Sequence, residues 1–177
     1  DDDKEADALF GLTRTLWVAA GGKLLAFEEP SGASLSPHSA SLLAAAGIDG
    51  ANGLIAGALQ YLFKTGLVAS PDIKALLHEL SPIDSSEPEL MDPLAVDPKR
   101  IFDTVVAAYL LDSVRSDFGD AYIADTYVGK ALPAAQGEEG AADDAPVAAA
   151  RSVAVALAAV QPLAKALEEQ DAADIFQ

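Results

Sequence analysis

The chain has 177 residues, enough for one ordinary core, and its 51% hydrophobic against 22% charged composition excludes an intrinsically disordered chain. It has no cysteine, which excludes disulfides, thiolate metal centres and cysteine nucleophiles and points to a reducing, intracellular setting. Its 28 acidic residues outnumber 11 basic ones, and the resulting net charge of −17 repels a phosphate backbone. No apolar run reads as membrane-spanning and no charged-then-hydrophobic signal segment opens the chain, so a cytoplasmic protein without membrane contact is expected.

Asp1-Asp2-Asp3-Lys4 resembles the tail of an enterokinase tag and reads equally as an acidic loop, so residues 1–8 are set apart from a folded domain over 9–177. Leu9, Phe10, Leu12, Leu16 and Val18 stand among threonines, a β-like composition. Ala20-Gly21-Gly22 is turn chemistry and Lys23–Phe27 a second strand, which together predict a β-hairpin. Glu29–His38 reads as a Pro/Gly/Ser loop, and Ser39–Ala46 as a short apolar helix closed by Gly47. Asn52 is a candidate cap for a helix carrying Leu54, Ile55, Ala58, Leu59 and Leu62 at helical spacing, ended by Gly66.

Leu67-Val68-Ala69 predicts a short buried strand, and Ser70-Pro71 open a helix to Leu80 with Leu76, Leu77 and Leu80 on one side. Ser81–Pro98, with its prolines and acids, predicts an extended loop. Lys99–Val114 begins as a strand at Ile101 and continues as a helix through Val105, Val106, Tyr109 and Leu110. A short helix is expected over Asp120–Tyr127, a connector over Ala134–Asp144, and a long helix from Pro146 with Val147, Val153, Leu157, Val160, Leu163 and Leu167 as its apolar positions. Strands interleaved with helices indicate an α/β or α+β domain.

The segment from Ile101 to Ser113, Ile-Phe-Asp-Thr-Val-Val-Ala-Ala-Tyr-Leu-Leu-Asp-Ser, resembles the FDT-x-x-A-A-Y-L-L stretch of the 3′–5′ exonuclease domain of bacterial DNA polymerase I. Arg115-Ser116 and Tyr122–Gly129 follow in the same order as in that family. Leu9–Glu28 is similar to the family's second and third strands, Leu67–Leu80 to its second-motif strand and helix, and Val147–Gln177 to its third-motif helix and exit. The resemblance implies a ribonuclease-H-like α/β fold, a mixed sheet flanked by helices, with the hairpin inside that sheet.

The active family holds two divalent metals on four carboxylates, which activate water and stabilise the leaving 3′ oxygen. Aligned on the second motif, Asp72-Ile73-Lys74-Ala75-Leu76 puts leucine at the metal-binding aspartate position. Aligned on the third, Val147 stands at the tyrosine position and Arg151 at the aspartate position, a fixed cation where a cation should bind. No Asp-x-Glu on an apolar strand precedes Leu9; that strand lies upstream of Asp1 or has diverged. Asp72, Leu76, Val147 and Arg151 thus mark a degenerate site, with no catalytic, metal or cofactor residue expected.

Outside the motifs, Asp72 beside Pro71 reads as a helix cap, and Asp103 as a ligand of backbone at a strand–helix turn. His38 and His78 lack a partner at metal spacing and read as ordinary surface or half-buried residues. Trp17 reads as packing, since Arg14 is the one basic residue near it. The pairs Glu28-Glu29, Glu138-Glu139 and Asp143-Asp144 are expected in solvent-facing loops. The leading expectation is a non-catalytic, monomeric domain supporting the polymerase domain of the same polypeptide in DNA replication and repair, with weak or no DNA contact of its own. The alternatives are a metal-dependent exonuclease using displaced acids such as Asp72 and Asp3, and an acidic protein-interaction module that mimics DNA.

Overall fold

The computed structural model describes residues 13–30, 36–48, 53–80, 96–132 and 145–176. Two strands, β1 (Thr13–Ala20) and β2 (Lys23–Pro30), form an antiparallel hairpin in which Trp17 faces Ala26 and Leu16 faces Phe27. The two-residue loop uses Gly21 and Gly22 at φ 57° and 74°, the left-handed conformations that a tight hairpin turn demands. β2 runs to Pro30 rather than stopping at Phe27, so Glu28 and Glu29 are strand residues and not loop acids. Residues 8–12, expected to begin β1, lie outside the described residues.

Helix α1 (Pro37–Ala45) begins earlier than predicted because Ser36 caps it, its hydroxyl accepting the N–H of Ser39, and proline fills the first turn. Gly47 closes it at φ 72°. Helix α2 (Leu54–Thr65) buries Ile55, Ala58, Leu59 and Phe63 along one face. A methyl group on Gly57 would collide with Leu43 of α1, so glycine sets how closely the two helices approach. Asn52, the expected cap of α2, lies outside the described residues.

The parallel pair comes next. β3 (Val68–Ser70) leads into α3 (Ile73–Leu80), and a 3₁₀ turn (Pro98–Arg100) leads into β4 (Ile101–Asp103) and directly into α4 (Thr104–Leu111). β3 and β4 pair with Val68 beside Ile101, Ala69 beside Phe102 and Ser70 beside Asp103. Most of the proline-rich segment 81–98 lies outside the described residues, as does all of 134–144. The predicted helix at 120–127 divides into an α-helical turn, α5 (Asp120–Ile123), and a π turn (Ala124–Val128) ended by Gly129 at φ 72°. The chain closes with α6 (Ala145–Glu169) and α7 (Ala173–Phe176).

Alternation along β3 and β4 sends successive side chains to opposite faces, and each face meets its own cluster. Val68 and Ile101 join Ile55, Leu59 and Phe63 of α2 with Leu76, Leu77 and Leu80 of α3. Ala69 and Phe102 join Ala107 and Ala108 of α4, Ile123, and Val155, Ala159, Leu163 and Leu167 of α6. Phe102 also stacks on Phe176 of α7 with ring centroids 4.8 Å apart. The result is an α/β arrangement of helices on both sides of a short parallel pair.

The expected single mixed sheet is not formed among the described residues. The hairpin β1–β2 and the pair β3–β4 are separate two-stranded sheets. They are related through α6, which contacts both β1 and β3. Three-residue strands offer few ladder bonds, so side-chain burial against helices supplies their stability.

Helix α6 bears on a second expectation: over Pro146–Glu169 it is long and apolar enough, by length and composition alone, to cross a membrane, its most apolar 18-residue stretch having a mean hydropathy of 1.6. Much of that apolarity is alanine, and the helix buries Val155, Ala156, Ala159, Leu163 and Leu167. Pro162 lies inside it, removing one backbone donor to the carbonyl of Ala158 without ending the helix.

Leu163 is fully buried whereas Leu157, on the same helix, is 51% exposed. Leu163→Ala is therefore expected to lower unfolding free energy by about 2–5 kcal/mol and Leu157→Ala by less than about 0.5 kcal/mol, measured by urea denaturation. Equal effects would refute the assignment of α6 as the core helix.

Candidate functional site

In α/β proteins ligands gather beyond the carboxyl ends of parallel strands, where the chain diverges into helices. Here those ends are Ser70 and Asp103, side by side in register, with Asp72 close behind Ser70. Both aspartates are engaged by backbone. Asp103 Oδ1 accepts the N–H groups of Val105 and Val106 at 3.0 and 2.9 Å, and Oδ2 accepts the N–H of Ile73 at 3.1 Å. One carboxylate thereby closes the N-termini of α4 and α3, where unpaired N–H groups and the helix dipole favour negative charge. Asp72 Oδ1 accepts the N–H of Ala75 at 2.8 Å, while Ser70 Oγ accepts the N–H of Asp72 at 3.1 Å. Asp72 is a cap, and Asp103 ties a strand end to two helices.

The remaining motif positions stand on opposite faces of β3–β4. Leu76, on α3, packs into the Ile55–Leu59–Phe63 cluster. Val147 and Arg151 lie on the opening turns of α6, the helix of the other face; Val147 is exposed and Arg151 half-buried. Ser152, next to Arg151, donates to Asp120 of α5 at 3.3 Å. Among the described residues no group of three or more His, Asp or Glu side chains is placed to hold a metal ion. At this edge the carboxylates of Asp72 and Asp103 accept backbone N–H groups at helix starts.

His38 and His78 are exposed on α1 and in the last turn of α3, and Trp17 is half-buried in β1. Asp3, Glu138-Glu139 and Asp143-Asp144 lie outside the described residues. Glu29 overturns its expected solvent-facing position, being 6% exposed while Glu28 is exposed. Its Oε1 accepts the N–H of Leu54 at 2.6 Å, doing for α2 what an N-cap side chain does. Its Oε2 meets Arg14 Nη2 at 2.9 Å, and Arg14 Nη1 reaches Glu79 of α3 at 2.7 Å. Gly53 permits this approach, since a Cβ there would fall on the Glu29 carboxylate. The strand alternation from Phe27 carries the signal for this inward carboxylate, because residues two apart share a face.

Residues 109–127 hold an aromatic ladder. Tyr109, Phe118, Tyr122 and Tyr127 meet edge to face at successive centroid distances of 5.9, 5.8 and 5.9 Å. The Arg115 guanidinium lies 3.9 Å over the Tyr122 ring, and the Tyr122 hydroxyl donates to Asp112 at 3.4 Å. Burial, then the hydrogen bond to Tyr122, hold the Tyr127 phenol well above the usual tyrosine range.

Asp103→Ala leaves three N–H groups without their acceptor, so a loss of about 2–3 kcal/mol is expected in urea denaturation. Asp103→Asn keeps one carbonyl oxygen and should lose about half as much. A neutral Asp103→Ala would show that the double cap contributes nothing.

Comparison with family models, with curated proteins and with solved structures gives no match.

Proposed function

We propose that this chain is a non-catalytic 3′–5′ exonuclease-like domain of a bacterial DNA polymerase I. It supports the polymerase domain of its own polypeptide during DNA replication and repair in the cytoplasm. The observation that carries this reading is the meeting of a family-like segment with stripped ligand positions. Ile101–Leu111 folds as strand, aspartate cap and helix, while Leu76 is committed to an apolar cluster and Arg151 brings a fixed cation.

The same reading assigns a ribonuclease-H-like fold. Support comes from an antiparallel hairpin and a parallel pair that share one long helix, α6, with β1 and β3 both against it.

Two-metal hydrolysis requires several hard oxygen ligands at one point, and removal of members of such a unit does not leave the rest functional. With excess Mg²⁺ or Mn²⁺ the protein is expected to release no 3′ nucleotides from labelled single-stranded DNA, and Leu76→Asp with Arg151→Asp is expected not to restore release. At low salt, single-stranded DNA should bind more weakly than micromolar, given the net charge of −17. Metal-dependent release abolished by Asp72→Ala would instead make the protein an exonuclease with displaced ligands. A native reading frame that does not continue into a polymerase palm beyond Gln177 would instead favour a free acidic interaction module.

A further inference from the structure

The hairpin has two outer edges, and they are covered differently. Leu16–Ala19 of β1 are half-buried, and β1 packs on α6. β2 meets α2 through the buried Glu29, while Lys23–Ala26 and Glu28 are exposed, Leu24 at 44% and Leu25 at 46%. A two-residue loop makes its flanking residues, Ala20 and Lys23, a hydrogen-bonded pair, and such pairs alternate along the ladder. Leu25, Phe27 and Glu29 therefore turn their main-chain groups towards β1, and Leu24, Ala26 and Glu28 turn theirs outward. Among the described residues no hydrogen bond reaches those outward groups.

An exposed strand edge invites another strand unless charge or proline blunts it. Lys23 and Pro30 stand at the two ends of β2, and Leu24, Leu25, Ala26 and Phe27 between them carry neither device. The outward groups are also self-complementary. Two copies of β2 running antiparallel about Ala26 place Ala26 opposite Ala26 and Leu24 opposite Glu28 as hydrogen-bonded pairs. That register uses every outward N–H and C=O of the three residues, in about six bonds. It sets Leu25 opposite Phe27, apolar against apolar, and Lys23 opposite Glu29 with Glu28 beside it, a cation against acids. A shift by two residues brings Glu28 to the turn, or Leu24 to Pro30, which has no N–H to give.

We propose that β2 pairs with β2 of a second copy of this chain, antiparallel and centred on Ala26, joining two hairpins into one continuous sheet. This departs from the monomer expected from the sequence. Two chains of net charge −17 repel each other and a pair of short strands buries little area, so the dimer is weak and forms at high concentration and moderate salt. The contact uses neither Asp72 nor Asp103 and does not depend on the exonuclease-like reading.

The test is sedimentation velocity of the whole chain from about 10 μM to about 1 mM in about 0.3 M NaCl, with amide hydrogen exchange followed by NMR at both ends of that range. A monomer–dimer equilibrium with a Kd of about 10–300 μM is expected. On association the amides of Leu24, Ala26 and Glu28 should gain at least about tenfold protection, while those of Leu25 and Phe27, already bonded to β1, change less. Ala26→Pro removes an outward donor and leaves the β1 ladder intact, and Ala26→Lys sets like charges opposite each other. Each should weaken the dimer at least about tenfold, thermal melting confirming that the variant is folded. The proposal fails if the chain stays monomeric to about 1 mM, or if it associates without the alternating protection of Leu24, Ala26 and Glu28, which would place the contact on another surface. It fails equally if a folded variant dimerises undiminished.

Discussion

The carboxylate of Asp103 is the interaction on which the rest of the arrangement depends. It sits where the second parallel strand ends, and its three accepted N–H groups belong to two helices that diverge from the two strands. A short strand pair has few ladder bonds of its own, and helix N-termini leave donors unpaired. One anionic side chain answers both deficits, since it satisfies the donors and fixes the directions of α3 and α4 relative to β3–β4. The two apolar clusters then form on either face because those directions are set.

That use of acid has a functional consequence. Carboxylates at the open ends of parallel strands are the natural raw material of a metal site, but an oxygen accepting backbone N–H groups is oriented by the backbone. Asp103 has both oxygens engaged, and Asp72 caps the helix it precedes. Leu76 of α3 is half-buried against Ile55, Leu59 and Phe63, and Arg151 stands on α6, the helix of the other face. At this edge the two carboxylates hold the N-termini of α3 and α4.

The hairpin repeats the same logic at a distance. Glu29 is buried, accepts the N–H that opens α2, and is met by Arg14, which also reaches Glu79. Removing a carboxylate from water is costly, and the helix N-terminus with the guanidinium offsets that cost. The polar triad therefore docks β1–β2 to α2 and α3 where no strand pairing does so among the described residues.

Much of the local structure was legible in the amino-acid sequence. Gly21-Gly22 set the hairpin, Gly47 and Gly66 ended helices, the spacing of Ile55, Leu59 and their neighbours fixed the buried face of α2, and Asp103 before a helix signalled a cap. These signals act over a few residues, because a turn's φ or a helix's period depends on immediate neighbours. The tertiary structure alone decided the rest. Glu29 meets Leu54 across 25 residues, Asp103 meets Ile73 across 30, and Arg14 meets Glu79 across 65, and nothing in the local pattern names such partners. The division into two sheets is of the same kind: a strand's composition says that it will pair, but which edge it pairs with depends on what the assembled helices bring beside it.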